Sequence, residues 1–148
     1  DFIVQMDADG SHRPDDLPLV VEAAAENRLV IGSRWVPGGA VLNWPWYRQW
    51  ISRAGNLYAR LTLRSHVKDI TAGFRCYPVS FLTGLELELV RAQGYGFQIE
   101  MTKLAQDSGV AVEEVPITFV ERESGVSKMT YKIIFEAFWL CTKWAFRR

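Results

Sequence analysis

Asp7 and Asp9 flank Ala8 at the end of the short apolar run Phe2-Ile3-Val4-Gln5-Met6. Carboxylates at i and i+2 inside a strand point to opposite faces. Where a strand gives way to a loop the chain bends, and both can then reach one cation. A hard divalent ion takes such carboxylates together with phosphate oxygens of a substrate. A loop of capping aspartates would carry the same triplet. The apolar strand before it favours the metal reading, because open parallel sheets bind ligands at the carboxyl ends of their strands.

A second group of residues suits anions. Arg34 follows the apolar run Leu29-Val30-Ile31-Gly32, where a guanidinium can grip a phosphate with two hydrogen bonds. The alternative is a surface arginine in a turn. Arg53 lies in Ser52-Arg53-Ala54-Gly55-Asn56, where Gly55 costs helix stability and allows a close backbone approach. The alternative is a solvated helix face. The stretch Lys68-Asp69-Ile70-Thr71-Ala72-Gly73-Phe74-Arg75 is read as a loop that mixes charges with a hydroxyl. It is equally read as a structural pair, Asp69 with Arg75 or with Lys68. Arg122 to Lys128 forms a polar stretch around Gly125 that either closes over an anionic ligand or simply connects two elements. His12 and His66 carry little weight, and no nucleophile–histidine–acid set is visible.

The elements that must position these residues follow from periodicity and punctuation. Phe2 to Met6 reads as a buried strand, and Leu17 to Glu26 as a helix opened by Pro14, Asp15 and Asp16. Leu29 to Gly32 reads as a second buried strand, and strand–helix–strand units of this length fit a parallel sheet. Residues 35–46 are expected to be irregular. Tyr47 to Leu63 has helical spacing with Trp50, Ala54, Leu57 and Leu61 on one face. Residues 65–75 read as a loop and Phe97 to Gln106 as a helix stopped near Gly109. Val110 to Val120 alternates as a strand, and Pro116 makes it an edge strand or puts a bulge in it. Residues 121–130 read as a polar loop and 131–146 as a helix.

That last helix holds Tyr131, Phe135, Phe138, Trp139, Trp144 and Phe146, and from Lys128 onward the chain has five bases against Glu136. Such a composition suits either the headgroup layer of a membrane or a core helix. Trp44, Trp46 and Trp50 form a second aromatic group of the same ambiguity. No apolar run reaches the roughly 18 residues needed to span a bilayer.

Composition narrows the classes further. The 148 residues are 49% hydrophobic and 23% charged, as in one globular domain with a sizeable core. Seventeen bases balance seventeen acids, so no net field points to nucleic acid. The balance hides a split. Residues 1–28 hold seven acids against Arg13 and Arg28, a net of −5, and residues 29–75 hold seven bases against Asp69, a net of +6. An acidic corner beside a basic stretch can hold a cation and phosphates together, although solvated faces would show the same split. Cys76 and Cys141 make no disulfide framework and no zinc spacing, so a reducing compartment is the default.

Taken in order, these pieces resemble the polyprenol-phosphate mannosyltransferases, or dolichol-phosphate mannose synthases, of glycosyltransferase family 2. The resemblance rests on Asp7-Ala8-Asp9-Gly10-Ser11-His12-Arg13-Pro14, Val30 to Arg34, Ser52 to Asn56 and Asp69 to Arg75. It continues through Gly94-Tyr95-Gly96-Phe97-Gln98-Ile99-Glu100-Met101, Glu114-Val115-Pro116-Ile117 and Arg122 to Lys128, and so covers almost the whole chain. The acid triplet alone marks many glycosyltransferases; the ordered set is far more specific.

The resemblance implies an α/β fold of the GT-A, Rossmann-like type, with a mainly parallel sheet flanked by helices. It implies an enzyme that moves mannose from GDP-mannose to a polyprenyl (dolichyl) phosphate with inversion, peripherally at the cytoplasmic face of a membrane. Asp7 and Asp9, with Ser11 where many relatives have Gln, would hold Mg²⁺ or Mn²⁺. Asp9, Arg34 and Arg53 would be catalytic, with Arg34 and Arg53 on the acceptor phosphate. Asp7, Asp69, Arg75, Arg122 and Lys128 would complete the substrate site. Ala72 stands where relatives often have Ser. Residues 1–148 are expected to be the C-terminal part of one catalytic domain ending in an interfacial helix at 131–146. Without the family's N-terminal strands and guanosine pocket, the chain alone is expected to be inactive. Relatives often carry transmembrane helices or use a membrane-anchoring partner protein.

The chemistry of the residues agrees. A phosphate acceptor is already ionised at pH 7 and needs no strong base; it needs cations that hold two anionic substrates together. Three other readings stay open. They are a related transferase moving glucose or another sugar to a lipid phosphate, a metal-dependent phosphohydrolase, and a non-catalytic membrane-surface module.

Overall fold

A computed structural model describes all residues except 87, 89, 91, 122–130 and 147–148. Four strands form the main sheet: β1 (Phe2–Gln5), β2 (Arg28–Ser33), β4 (Arg75–Pro78) and β5 (Ala111–Pro116), in the order β1-β4-β2-β5. β1 and β2 both run antiparallel to β4, and β2 pairs parallel with β5. The strand–helix–strand reading thus holds for direction, since β1 and β2 run the same way. The unforeseen β4 stands between them. The sheet is therefore mixed, with helices packed on it.

β2 shows why this sheet is a core. Its Leu29 and Ile31 join one buried cluster with Ala59, Leu63, Val67, Ile70, Ile99 and Met101. Its Val30 turns to the other face and joins Val20, Phe74, Cys76 and Ile117. Successive side chains alternate across the pleat, so a strand covered on both faces must be apolar at every position. Gly32 is needed there: a Cβ would lie 2.9 Å from a methyl of Ile117.

The helices are α1 (Leu17–Glu22), α2 (Trp46–Leu63), α3 (Val79–Thr83), α4 (Tyr95–Asp107) and α5 (Tyr131–Phe146). α1 is shorter than its apolar spacing suggested, ending at Glu22 with Ala23 as its cap. α2 closes with Arg64 in the left-handed conformation, φ 53°, and the Ser65 N–H reaches back to the Arg60 carbonyl at 3.0 Å. The single strand expected at Val110 to Val120 is two. β5 ends at Pro116, and β6 (Thr118–Val120) pairs parallel with β3 (Ala40–Leu42), inside a stretch expected to be irregular. Ile117 is the pivot: its N–H bonds the Ser33 carbonyl at 3.1 Å and its carbonyl takes the Ala40 N–H at 3.0 Å.

One expectation reverses, and one left open is decided. β1 is not buried: Phe2, Ile3 and Val4 are exposed at the sheet edge, with β4 on one side and no second strand beside it among the described residues. The apolar face of α2 points outward as well. Trp50 and Leu61 are each 70% exposed, whereas Asn56, Ala59 and Leu63 are the residues turned inward. Spacing shows which side chains share a helix face, not which way that face looks. Among the described residues no helix is long and apolar enough to cross a membrane.

Candidate functional site

Three chain ends converge on one cleft. The turn after β1 brings Asp7 and His12, the end of β2 brings Arg34, and the start of α4 brings Gly94, Tyr95 and Gln98. With Arg48, Trp44 and Thr71 they line a cavity of about 380 Å³.

The acid turn is built locally. Asp9 accepts hydrogen bonds at Oδ1 from the Ser11 N–H, at 3.1 Å, and from the Ser11 hydroxyl. The Asp7 N–H donates to His12 Nδ1 at 2.9 Å, which leaves the ring proton on Nε2. Burial lowers the His12 pKa below its usual 6.5, against the opposing pull of Asp7, so the ring is neutral. The His12 ring sits 5.2 Å from Phe74 and 5.3 Å from Phe119. His12 is thus a structural pin of the turn, a role its sequence position alone did not signal. Ser11 is fully buried and its hydroxyl donates to Asp9, so in this structure it positions that carboxylate.

Arg34 is held by Asp69. Its Nε donates to Asp69 Oδ2 at 2.8 Å, its Nη2 to Oδ1 at 2.7 Å, and its own N–H to Oδ2 at 2.9 Å. Arg34 is 6% exposed and Asp69 0%. Burial pulls the arginine pKa down, but the charge and hydrogen bonds of Asp69 outweigh it, and the net shift is upward. Asn56 from α2 adds Nδ2 contacts to Asp69 Oδ1 at 3.4 Å and Thr71 Oγ1 at 3.2 Å. Asp69 is therefore a partner of Arg34 and not a substrate ligand, which corrects that expectation; neither Arg75 nor Lys68 is its mate.

Arg75 is also corrected. It is 0% exposed, with Nε on the Ala72 carbonyl, Nη2 on the Ile70 carbonyl and Nη1 on Thr102, each within 2.9 Å. It shapes the loop from inside and cannot touch a substrate. Arg122 and Lys128 lie outside the described residues.

The cations interleave with indoles. The Arg53 guanidinium lies 4.3 Å from the Trp35 ring, Arg34 is 5.6 Å from Trp35 and 5.4 Å from Trp44, and Arg48 is 4.2 Å from Trp44. Trp35 and Trp44 so link three guanidinium groups in one row, of which Arg34 and Arg48 line the cleft and Arg53 does not. Arg48 also pairs with Glu121. Arg48 lines the cleft, which sequence reasoning missed; its position one helical turn before Ser52 and Arg53 was the available signal. Buried Trp44 Nε1 and Gln98 Oε1 have no hydrogen-bond partner among the described residues, although both residues line the cleft. Buried polar atoms are normally satisfied, so such atoms in a cleft wall suit a polar ligand.

A second cavity of about 230 Å³ adjoins the first and shares Arg34, Trp44, Thr71 and Tyr95 with it. Apart from Ser52 its other walls are mostly apolar, with Ile51, Ala54 and Tyr58 of α2, Ile99 of α4, and Ile134 and Phe138 of α5. A charged cleft therefore opens beside an oily slot. The outer faces of α2 and α5, which pack together, carry exposed Trp46, Trp50, Phe135 and Trp139.

The family model for glycosyl transferase family 2 matches residues 1–84, which holds the acid turn, Arg34, Arg48, Arg53, Asp69 and Arg75. The chain belongs to glycosyl transferase family 2. Its α/β sheet with flanking helices agrees with the GT-A, Rossmann-like expectation. The chain is 50% identical over 97% of its length to an undecaprenyl-phosphate mannosyltransferase of Micrococcus luteus, covering 59% of that protein. It is 48% identical over 98% of its length to a polyprenol monophosphomannose synthase of Mycolicibacterium smegmatis, covering 55% of that protein. A dolichol-phosphate mannosyltransferase of Pyrococcus furiosus is 39% identical over 92% of the chain, which covers 38% of it. The chain thus spans little more than half the length of the first two relatives.

Within this family site, the described residues hold no cluster of three His, Cys, Asp or Glu fit to cage a metal unaided. Two carboxylates on one turn beside a cleft lined by Arg34 and Arg48 have the chemistry of a partial donor set, one a hard cation would complete with oxygens from a substrate and water. Asp7 and Asp9 fit that set.

Proposed function

We propose that the protein to which this chain belongs is an inverting mannosyltransferase. It transfers mannose from GDP-mannose to a polyprenyl phosphate at the cytoplasmic membrane surface, with Mg²⁺ or Mn²⁺. The observation that carries this reading is the pair of adjoining cavities, one charged and one apolar, with Arg34 in the wall of both. A lipid phosphate needs such a junction. Its headgroup meets arginines while its first isoprene units lie against Ile51, Ala54, Ile134 and Phe138. The names of the three relatives point to the same class of acceptor and sugar.

In this reading Arg34, Arg48 and Arg53 gather the acceptor phosphate. One of its anionic oxygens attacks the anomeric carbon of mannose, the new C–O bond forms on one face, and the bond to GDP breaks on the other. No base is required, because the nucleophile is ionised at neutral pH. Asp7 and Asp9 would hold a divalent cation, which when bound would supply charge stabilisation for the departing diphosphate. Ser11 holds the Asp9 carboxylate and His12 holds the Asp7 backbone in place. Tyr95, Gln98 and Trp44 close the cleft around the sugar. The exposed aromatics of α2 and α5 rest in the headgroup layer, where the long acceptor is found.

Transfer of radiolabelled mannose tests this with the full-length protein, polyprenyl phosphate in vesicles, and the Asp9→Asn variant. Product that needs a divalent cation and vanishes in the variant supports the reading. Product only from another nucleotide sugar replaces mannose but keeps the lipid phosphate acceptor. Vesicle binding without any product, equal in wild type and variant, would leave a non-catalytic surface module. Phosphate release without lipid would indicate a phosphohydrolase.

A further inference from the structure

We infer that Glu114 is a positioning residue for the acceptor site, acting on Arg34 through the backbone of Asp69. This rests on the reading that Arg34 meets the acceptor phosphate. Glu114 lies in β5, in register with Ile31 of β2, three residues before Arg34. Its two carboxylate oxygens accept the consecutive N–H groups of Lys68 and Asp69, each at 2.8 Å. Among the described residues its carboxylate meets no side-chain cation, whereas its neighbour Glu113 pairs with Arg28 at 2.8 Å.

The geometry forms a relay. Glu114 fixes the loop at the peptide that carries the Asp69 side chain, and that carboxylate then takes three hydrogen bonds from Arg34. Asn56 grips the same carboxylate from α2 at 3.4 Å. Arg34 is thus oriented by a carboxylate that is itself anchored on the parallel neighbour of its own strand. A carboxylate suits the anchor because two adjacent N–H donors match its two oxygens. A carboxamide offers one acceptor and turns an NH₂ group toward the other N–H. With that mismatch the loop shifts, Asp69 turns, and the Arg34 fork loses its aim while the rest of the fold stands.

Kinetics of the full-length protein test this with Glu114→Gln, Arg34→Lys, the double variant, and Glu113→Gln as control. Glu114→Gln should raise the KM for polyprenyl phosphate about tenfold and leave the KM for the nucleotide sugar unchanged. In the Arg34→Lys background it should add nothing, because the relay ends at that guanidinium. Glu113→Gln should change neither. If Arg34→Lys raises the acceptor KM but Glu114→Gln does not, or does so equally in both backgrounds, the relay is wrong and the acceptor site stands. If Arg34→Lys leaves the acceptor KM alone, both the acceptor reading of Arg34 and the relay fall. Glu114→Asp keeps the charge one methylene short. It must shift the acceptor KM the same way should the glutamine variant fail to fold, and an unchanged KM there also overturns the relay.

Discussion

Arg34 and Asp69, thirty-five residues apart, form a buried fork with contacts of 2.7 and 2.8 Å, and the same carboxylate accepts the arginine's own N–H at 2.9 Å. This joins the end of β2 to the loop before β4 and fixes the cation at the junction of the two cavities. A buried pair of this kind is weak evidence for stability, but removing one partner strands the other charge. Asp69→Ala should cost about 3–5 kcal/mol. Urea unfolding reads it as a lowered midpoint, and a change below about 1 kcal/mol would show that water reaches the guanidinium freely.

The turn at Asp7 carries a pH dependence whose sign is set by His12. Burial lowers its folded pKa below the 6.5 of the unfolded chain. Below that value the unfolded state binds a proton that the folded state refuses, so its contribution to stability is full above 6.5 and is lost as pH falls toward the folded pKa. Melting temperature should drop between neutrality and mild acid. His12→Asn, whose amide oxygen can replace Nδ1 as acceptor, should flatten that drop; an unchanged slope would place the effect elsewhere.

Asp9 and Ser11 should separate by magnitude. Asp9→Asn should lower mannosyl transfer by about a hundredfold or more, since a charged ligand is lost. Ser11→Ala removes only a hydrogen bond onto that ligand and should weaken apparent Mg²⁺ affinity about tenfold. A Mg²⁺ titration of activity distinguishes them, and equal losses would make Ser11 a ligand after all.

Gly39 sits under the end of β2. A Cβ there would lie 2.5 Å from the Ser33 carbonyl oxygen and 2.8 Å from the Arg34 carbonyl carbon, both rigid backbone. Gly39→Ala should therefore cost about 2 kcal/mol and displace Arg34. Gly55→Ala meets nothing within 4 Å and should stabilise α2 by about 0.5–1 kcal/mol. Denaturant midpoints of the two variants should move in opposite directions. The close approach expected at Gly55 is thus absent among the described residues.

Cys141 lies in the wall of the apolar cavity, and burial pushes its thiol up to about 11, partly offset by a hydrogen bond with Thr62. Alkylation with iodoacetamide should be slow at pH 8 and rise steeply only toward that value, because the thiolate is the nucleophile. Rapid labelling at pH 8 would mean that α5 opens from α2.

The types of the longer elements, and which residues stand at strand ends, were legible in the sequence, because they depend on local periodicity. Trp46–Leu63, Tyr95–Asp107 and Tyr131–Phe146 are helices as the spacing suggested, and Asp7, Asp9 and Arg34 stand at the ends of strands. β4 escaped notice because Arg75-Cys76-Tyr77-Pro78 is short, carries a charge and ends in proline, yet lies between two strands that satisfy its backbone. Its arginine is tolerated in the core because Ala72, Ile70 and Thr102 supply acceptors that no local pattern announces.

By itself the sequence determined the family and the order of its acid, arginine and aromatic motifs, since residue type and order carry both. Tertiary structure alone decided the partners. Asp69 meets Arg34 because the loop before β4 passes the end of β2, and Asn56 points inward while Trp50 and Leu61 point out because α2 packs on the core by the face that carries Ala59 and Leu63. Charge pairing and the direction of a helix face depend on what is brought close across tens of residues, and only packing sets those distances.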